Sequence, residues 1–173
     1  MNTKQILQIL NVISWIAFIG LCIKTGSMVV SFIVSLFFHT EGSRNLYMGL
    51  NLSDLHQISL WHYVVMTSLM IILSGLKAFL FFWVIKIISG INVSHPFNEY
   101  LSKLILKLSW IAFQIGVIAL ITNIYAKWIM KNMVAFSHDG GGTEFLYLAG
   151  ILFVIAVIFK RGNELQKENE LTI

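Results

Sequence analysis

The sequence has one cysteine, one proline and few charged side chains. Charged residues make up 12% of the 173 positions, whereas a typical soluble domain carries about 25%. A single cysteine excludes a disulfide framework, a Cys-x-x-Cys redox pair and a thiolate zinc site. The one proline, Pro96, lies outside the apolar runs, which therefore lack the residue that most often breaks a helix. These absences exclude a disordered chain and argue against a water-soluble globule.

Motifs that carry catalysis or nucleic-acid binding are also missing. There is no Gly-x-Ser-x-Gly elbow, no Walker loop, no His-Glu-x-x-His and no pair of acidic residues in the apolar runs. The lysines and arginines are scattered, without a basic stripe or interleaved aromatic residues. We therefore expect a protein that is not an enzyme, has no cofactor and does not contact nucleic acid directly. An enzyme with a lipid substrate is disfavoured, since no acid–base pair is visible.

Apolar side chains are abundant. They make up 57% of the residues, and the mean hydropathy is +0.80. A helix that crosses the hydrocarbon core of a bilayer needs about 20 mostly apolar residues, and four runs meet this condition to differing degrees. The sequence therefore predicts an all-α membrane protein, an antiparallel four-helix bundle formed by one domain over residues 1–173. The expected helices cover residues 6–38, 61–88, 98–130 and 144–161, and a polar tail covers residues 162–173.

The fourth apolar run is the shortest. Its core, residues 145–159, rises only about 22 Å as a helix, which is less than the roughly 30 Å of hydrocarbon. We expect flanking side chains to snorkel or the bilayer to thin around it. The connecting loops, near residues 39–60, 89–97 and 132–143, are expected to leave the hydrocarbon, because unpaired backbone groups are costly there.

The distribution of lysine and arginine predicts the orientation in the membrane. Basic residues are in excess in the short loops on the cytoplasmic side. The two termini and the middle loop, which share one side, carry the larger group, so both termini are expected in the cytoplasm of a bacterial cell, with the protein in its inner membrane. This side carries Lys4, Lys86, Lys103, Lys107, Lys160, Arg161 and Lys167, and the other side carries Arg44, Lys127 and Lys131.

Small side chains form seams along two of the predicted helices. Membrane helices approach closely where such residues recur at spacings of three and four. The seams predict a compact bundle in which these faces meet. The first helix carries Ala17, Gly20, Lys24, Ser27 and Ser31, and the third carries Ser109, Ala112, Gly116, Ala119 and Asn123.

Two lysines fall on inward-facing rows of residues. Lys24 belongs to the seam of the first helix, and Lys77 to a row at the same spacing on the second helix, which carries Thr67, Met70, Ser74, Lys77 and Phe81. A lysine at the centre of the bilayer costs about 2.5–3.5 kcal/mol, and the apolar cores contain no acidic residue to neutralise it. Two interpretations stay open. The side chains snorkel to the interface, which is favoured for Lys77 near the expected cytoplasmic side. Alternatively, Lys24, Ser27 and Lys77 line a functional polar cavity.

The loops on the expected outer side carry histidines and an alternating pattern. His56, His62 and His138 are candidate metal ligands, although their spacing matches no known template and the alternative is that they are ordinary loop residues. Apolar residues alternate with others over residues 46–52, which is typical of a strand. This strand could pair with residues 133–138 in a short β-hairpin, and the two loops would then form a small outer cap.

Two motifs carry a resemblance to a known family. The middle loop contains His95-Pro96-Phe97, and the chain ends in Gly-Asn-Glu-Leu-Gln-Lys-Glu-Asn-Glu-Leu-Thr-Ile from Gly162 to Ile173. These segments resemble a bacterial family of four-helix membrane proteins catalogued only as a domain of unknown function. Its members carry a Pro-Phe helix opener and a terminal G-x-E-L-Q-x-E-N-x-L-T-[I/V] signature. His95 stands where asparagine is usual in that family, and Glu170 where aspartate is usual.

The resemblance implies a fold and a membrane location but no established activity. Genes of this family often lie beside small helix-turn-helix regulators, which implies a regulatory pairing. We therefore expect a sensor or regulatory anchor whose tail docks a soluble cytoplasmic regulator. In this hypothesis the tail folds back against Lys103, Lys107 and the middle-loop turn, either to dock a partner or only to secure helix ends. The residues assigned to the docking surface are His95, Pro96, Phe97, Glu164, Gln166, Glu168 and Asn169.

Two other functions stay open for the sequence. One is a small transporter or channel subunit that uses the cavity around Lys24. The other is a purely structural membrane subunit. The stimulus, the identity of a partner and the oligomeric state do not follow from the residues.

Overall fold

The computed structural model describes residues 3–38, 40–91, 99–138 and 140–170. Four helices are long and apolar enough to cross a membrane, and no strand occurs in the described ranges. The chain is therefore an all-α, multi-pass membrane protein, as the sequence predicts. The helices are α1 (Thr3–Phe37), α2 (Ser53–Ile58), α3 (Leu60–Gly90), α4 (Glu99–Asn132) and α5 (Phe145–Glu170), and a 3₁₀ helix covers Thr40–Arg44.

The four long helices form an antiparallel bundle in which they lie in a row. Helix α1 packs on α3, α3 on α4, and α4 on α5, while the described backbone of α1 approaches neither α4 nor α5. The Thr25 hydroxyl of α1 donates to the Ser74 hydroxyl of α3 at 2.9 Å, and the Ser109 hydroxyl of α4 donates to the Ala149 carbonyl of α5 at 2.9 Å. The end of the bundle with both termini is called the terminal end, and the opposite end the loop end.

Aromatic and lysine side chains mark two levels of the bundle. Near the terminal end, Lys107 Nζ lies 3.9 Å from the centre of the Trp83 ring. Near the loop end, Tyr125 and Trp128 stack with their ring centres 6.2 Å apart. From Lys107 to Tyr125 helix α4 rises about 27 Å, close to the roughly 30 Å of hydrocarbon. Such side chains favour the membrane interface. Gly116 on α4 lies midway between these two levels.

Helix α5 begins at this middle level rather than at the loop end. Leu146 packs against Gly116 of α4, so the connection returns along α4 for about 24 Å, counted as helix rise from Asn132 to Gly116. Its last part, residues 140–144, lies beside α4 between the two levels, with Gly142 against Ala119. That the connection leaves the hydrocarbon, and that side chains snorkel or the bilayer thins around α5, stay predictions.

Helix α5 also continues beyond its expected end at residue 161. It is helical to Glu170, because residues 163–170 are mostly good helix formers and Arg161 pairs with Glu164 at 2.9 Å. Gly162 alone does not interrupt it. Since Ser102 of α4 bonds to Ala156, residues 160–170 extend about 16 Å past the first residue of α4. The straight helix runs away from Lys103 and Lys107, so the tail does not fold back onto them.

The expected β-hairpin and separate outer cap are wrong. Met48 and Gly49 have φ angles of +45° and +88°, which fold the segment into a turn in which the Leu46 N–H donates to the Leu50 carbonyl at 2.9 Å. The alternating pattern instead places Leu46 and Leu52 in the core. Both segments pack into the loop-end half of the bundle itself. This core contains Met28, Leu46, Leu52, Leu55, Tyr63, Met66, Met70, Ala126 and Ile129, with Val134 and Phe136 packed against it.

Candidate ligand-binding cavity

The extended segment 133–144 follows the seam of small side chains on α4. Asn123 of that seam is buried and fixes the segment at two points. Its Nδ2 donates to the Gly140 carbonyl at 2.6 Å, and its Oδ1 lies 2.7 Å from His138 Nε2, which is the donor because an amide oxygen only accepts. Further along, Gly142 packs so closely on Ala119 that a Cβ at Gly142 would meet the Ala119 Cβ at 2.8 Å. Position 142 therefore requires glycine, which has no side chain.

The turn after the 3₁₀ helix forms the other wall of a space between α1 and α3. Tyr47 lies beside Lys24 of α1, whose Nζ is 5.7 Å from the centre of the Tyr47 ring. Met48 is 87% exposed at the rim, and Ser137 on the opposite segment is exposed as well. α1 and α4 are not neighbours. The turn that carries Tyr47 and Met48 and the segment that carries Ser137 lie in the space between these two helices.

A cavity of about 280 Å³ lies between these walls and reaches both lysines. This volume is room for roughly nine water molecules at about 30 Å³ each. Lys24 enters from α1 and Lys77 from α3, so the structure brings together two residues that are 53 positions apart. The lining consists of Leu21, Lys24, Met28, Tyr47, Met48, Gly49, Leu50, Met70, Leu73, Ser74, Lys77, Ser137, His138, Gly140 and Gly141.

Lys77 points toward the loop end and not toward the terminal end. Its Nζ lies 5.4 Å from the centre of the Phe145 ring at the start of α5, and 3.6 Å from where a Cβ on Gly142 would stand. Side chains on a helix lean toward its N-terminus, which for α3 is the loop end. The expected snorkelling of Lys77 to the terminal-end interface is therefore not what the structure shows.

A carboxylate lies close to this lysine. The Gly142 N–H donates to Glu144 Oε2 at 2.7 Å. The pKa of Glu144, in the connection just before α5, lies below its ordinary value because its carboxylate accepts hydrogen bonds from its own backbone N–H and from Gly142, and because the Lys77 cation is near; partial desolvation opposes this. Lys24 differs, since no described carboxylate lies within ion-pair distance of its ammonium. Asp139, between two lining residues in sequence, lies outside the described residues.

The irregular backbone of residues 140–142 needs either protein or water as a hydrogen-bonding partner. Non-helical backbone at membrane depth is tolerated only where it is buried in protein or lines a water-filled space. Gly140 and Gly141, which line the cavity, are exposed. Water there would also solvate the ammonium of Lys24 and lower the cost of placing a lysine at this depth.

Other candidate residues lie apart from the cavity. Ser27 is exposed on α1 and is not among the lining residues, because the side of α1 that meets α3 carries Thr25 and Met28 instead. Gly20, of the same expected seam, has no other chain segment within 4 Å of where a Cβ would stand. Ser31, by contrast, packs against the 3₁₀ helix, where a Cβ on Gly42 would lie 2.8 Å from its carbonyl oxygen. The seam on α1 therefore does not form one continuous helix contact.

The three histidines considered as metal ligands do not converge. His56 lies edge-on to Tyr63, with ring centres 4.7 Å apart, and His62 Nδ1 bonds to the Tyr125 hydroxyl at 2.6 Å. His138 is held by Asn123 as described. Within the described residues, no group of three histidine, cysteine or acidic side chains is arranged to hold a metal ion.

The expected docking surface is described only in part. His95, Pro96 and Phe97 lie outside the described residues. Glu164 is half-buried and pairs with Arg161 at 2.9 Å. The remaining members, Gln166, Glu168 and Asn169, belong to the extension of α5.

The sequence contained signals for two residues that sequence reasoning left outside the cavity. Gly142 belongs to a run of three glycines, which pattern alone identifies as a flexible turn. Asn123 ends the small-residue seam, where its amide could have been expected to bind a backbone. Comparison of the chain with protein-family models, with curated proteins and with solved structures gives no match.

Proposed function

We propose that this membrane protein is a non-enzymatic sensor in which a small ligand in the cavity alters the position of α5. One observation carries the proposal: α5 is a single continuous helix from the cavity to the far side of the bundle. Its first residue, Phe145, contacts the Lys77 ammonium, and its last eleven residues extend past the end of α4. A displacement at one end of such a helix is transmitted to the other.

The first turn of α5 is held by Leu146 against Gly116 and by Phe145 beside the Lys77 ammonium, close to the cavity. Phe145 and Leu146 are half-buried, and Tyr147 is 85% exposed. A ligand that binds Lys77 would compete for the cation with Phe145 and Glu144. Such a ligand shifts α5 between two positions only if it binds the protein more tightly when α5 is in one of them.

The orientation that fits this proposal places the loop end outside a bacterial inner membrane and both termini in the cytoplasm. It follows the excess of lysine and arginine at the terminal end. The extension of α5 then stands in the cytoplasm as the docking surface for a soluble regulator, as the family resemblance implies. Protease added to intact spheroplasts should cleave the exposed turn at Met48 and leave Leu165 intact.

A photocrosslinking experiment in native membranes tests the proposal. A photoreactive residue at Leu165, which is 60% exposed, should form an adduct with a soluble protein. The same residue at Ile158, which is 56% exposed on the apolar part of α5, is the matched control and should react with lipid alone. Lys77→Met should change the adduct yield at Leu165. Absence of a soluble adduct would reject docking, and a yield that Lys77→Met leaves unchanged would reject the coupling.

A second candidate function is transport, because the cavity lies at mid-depth, where transporters bind their substrates. The residues below it argue against an open path. A packed apolar cluster that includes Leu80, Ile111 and Ile115 separates the cavity from the terminal end. Proteoliposomes that contain the purified chain should therefore show no phosphate or succinate flux, and flux abolished by Lys24→Met would favour transport instead.

A further inference from the structure

We propose that the terminal end binds the headgroup of an anionic phospholipid between Lys86 of α3 and Lys107 of α4. This site is separate from the cavity and goes beyond the proposed function. It is carried by two ammonium groups that lie against one aromatic ring. Lys107 Nζ is 3.9 Å from the centre of the Trp83 ring, and Lys86 Nζ is 4.8 Å from it. The two ammonium groups are therefore no further apart than these two distances combined.

Both lysines keep hydrogen-bond donors for a ligand. Their side chains are exposed, and an ammonium has three N–H donors, of which the contact with a ring face occupies one side only. A phosphate that accepts a charge-assisted hydrogen bond of about 2.8 Å from each ammonium spans most of their separation. Rotation of the exposed lysine side chains closes the rest.

The protein does not neutralise the charge of these two lysines. Neither Lys86 nor Lys107 forms an ion pair within the described residues. Glu99, the acidic residue of α4, pairs with Lys103 at 2.9 Å instead. The part of the middle loop outside the described residues, 92–98, contains no aspartate or glutamate.

The acidic groups outside the described side chains lie at other levels of the bundle. Asp139 adjoins the residue that Asn123 binds, about 24 Å along α4 from Lys107. Glu170 ends α5 about 21 Å beyond Ala156, on the side of Ala156 that faces away from Lys107, and residues 171–173 reach at most about 11 Å from there. Two positive charges therefore remain for a ligand, which favours an anionic headgroup over a neutral one.

The surface beside the lysines favours a lipid over a soluble anion. Phe79 and Phe82 share a face of α3 with Lys86, because they precede it by seven and four residues. Phe79 is 44% exposed, and on α4 Trp110, three residues after Lys107, is 60% exposed. A lipid whose phosphate lies between the lysines places its acyl chains over these rings, toward the loop end. Tryptophan and lysine at the membrane interface are typical of the level at which a headgroup lies.

Titration of single lipids into the purified full chain in detergent, followed by native mass spectrometry, tests the site. We expect phosphatidylglycerol to bind more tightly than phosphatidylcholine with the same acyl chains. Lys86→Met and Lys107→Met should each lower its affinity by about tenfold, the effect of one charge-assisted hydrogen bond. Methionine keeps an unbranched apolar stem in place of the lysine stem.

Lys160→Met is the matched control. Lys160 lies at the same end of the bundle on α5 and has no ring or carboxylate partner among the described residues. Its replacement should change the affinity by less than about twofold, because attraction over a distance is screened by salt. An equal loss in all three variants, or a loss in none, would overturn the proposal.

Two further conditions separate charge from packing and lipid from soluble anion. Lys107→Arg retains the cation and should keep most of the affinity, whereas a loss as large as that of Lys107→Met would contradict the role of charge. Glycerol phosphate has a phosphate but no acyl chain, so an equal concentration should not displace the lipid. Displacement would assign the lysines to a soluble anion and reject the lipid site.

Fluorescence quenching in nanodiscs tests the site without replacing either lysine. In a variant that keeps Trp83 and has phenylalanine at the other four tryptophans, phosphatidylglycerol brominated near the top of its acyl chains should quench more strongly than brominated phosphatidylcholine at the same mole fraction. A variant that keeps only Trp128, which stacks on Tyr125 near the loop end, is the control and should be quenched equally by both. Equal quenching of Trp83 by the two lipids would overturn the proposal. Neither experiment involves the cavity or Leu165, so the lipid site and the sensor function are rejected by different results.

Discussion

Replacing Gly116 by alanine tests the close approach that places α5 at mid-depth. A Cβ on Gly116 would lie 2.5 Å from Leu146 Cγ, 2.6 Å from its Cδ2 and 2.9 Å from its backbone nitrogen. The side chain of Leu146 can turn away, but its backbone nitrogen cannot. To regain an ordinary separation of 3.4 Å, the first turn of α5 has to move away from α4 by about 0.5 Å, judged by the usual tightness of packed interiors.

The expected cost follows from two opposing effects. Overpacking of a close contact costs about 1–3 kcal/mol, whereas alanine in place of a helical glycine gains about 0.5–1 kcal/mol. We expect Gly116→Ala to lower the free energy of unfolding by about 1–2 kcal/mol, the balance of overpacking and helix propensity. Gly20→Ala is the matched control, because Gly20 is also helical but has open space around it. It should gain the helix-propensity term alone.

Unfolding by sodium dodecyl sulfate, followed by circular dichroism of the protein in mixed micelles, measures both variants. The double variant Gly116→Ala/Leu146→Ala should be less destabilised than the sum of its two single variants, because the Leu146 side chain that causes part of the clash is gone. Equal stability of Gly116→Ala and Gly20→Ala would show that α5 does not approach α4 as closely as described.

Three further substitutions test the segment that connects α4 to α5 and the packing of these two helices. Asn123→Ala should speed proteolysis of the segment around Gly140, measured by mass spectrometry of limited digests, because both bonds that hold it are removed; an unchanged rate would contradict this role. Ser109→Ala should cost about 0.6 kcal/mol in the same unfolding assay, the average for hydrogen bonds between membrane helices, and no loss would refute it. Because the folded pKa of Glu144 lies below its ordinary value of 4.5, the stability it contributes is present above that pH and is lost as the pH falls through the folded pKa. Glu144→Gln should remove this acid-side loss in thermal unfolding at a series of pH values, and an identical profile would contradict it.

The number and direction of the long helices could be predicted from the sequence, and their physical basis is simple. A helix is the only single-segment structure that pairs all its backbone groups in hydrocarbon, so the apolar runs define it. The bounds of α3 and α4 differ from the expected ones by one or two residues, since few other factors compete there. The end of α5 could not be predicted in this way, because Gly162 has only a weak effect once the residues that follow it favour a helix.

Which faces of the helices contact each other could be predicted less well from the sequence. Small residues at spacings of three and four occur on both α1 and α4. On α4 they meet α5 and the segment that precedes it, whereas on α1 Gly20 and Ser27 contact no neighbouring helix. The spacing alone contains no information on which of two faces has a partner. The alternation over residues 46–52 led to the wrong prediction of a strand. The chain turns at Met48, whose φ is positive, so that Leu46 and Leu52 lie in the core although no strand forms there.

Lys24 and Lys77 could be identified as candidate site residues because lysine is uncommon within apolar runs. A lysine in an apolar run is costly, so a polar cavity was a reasonable hypothesis. That the two residues share one cavity depends on the pairing of Thr25 with Ser74, which no periodicity encodes. The wall formed by Gly140 and Gly141 depends on the return of the chain along α4, and the sequence contains no local pattern for such a return.

Three unusual features of the sequence have one physical cause in this structure. The fourth apolar run is the shortest, a run of glycines precedes it, and two lysines lie in apolar helices. Because α5 begins at the level of Gly116, the chain before it returns along α4, which needs a surface free of large side chains and a source of hydrogen bonds. The seam at Ala119 supplies the first, and the Asn123 amide, which donates to the Gly140 carbonyl, contributes to the second. A side chain at Gly142, whose φ is +110°, would clash with Ala119 and approach the Lys77 ammonium. The glycine is therefore required both for the path of the chain and for the space beside the Lys77 ammonium.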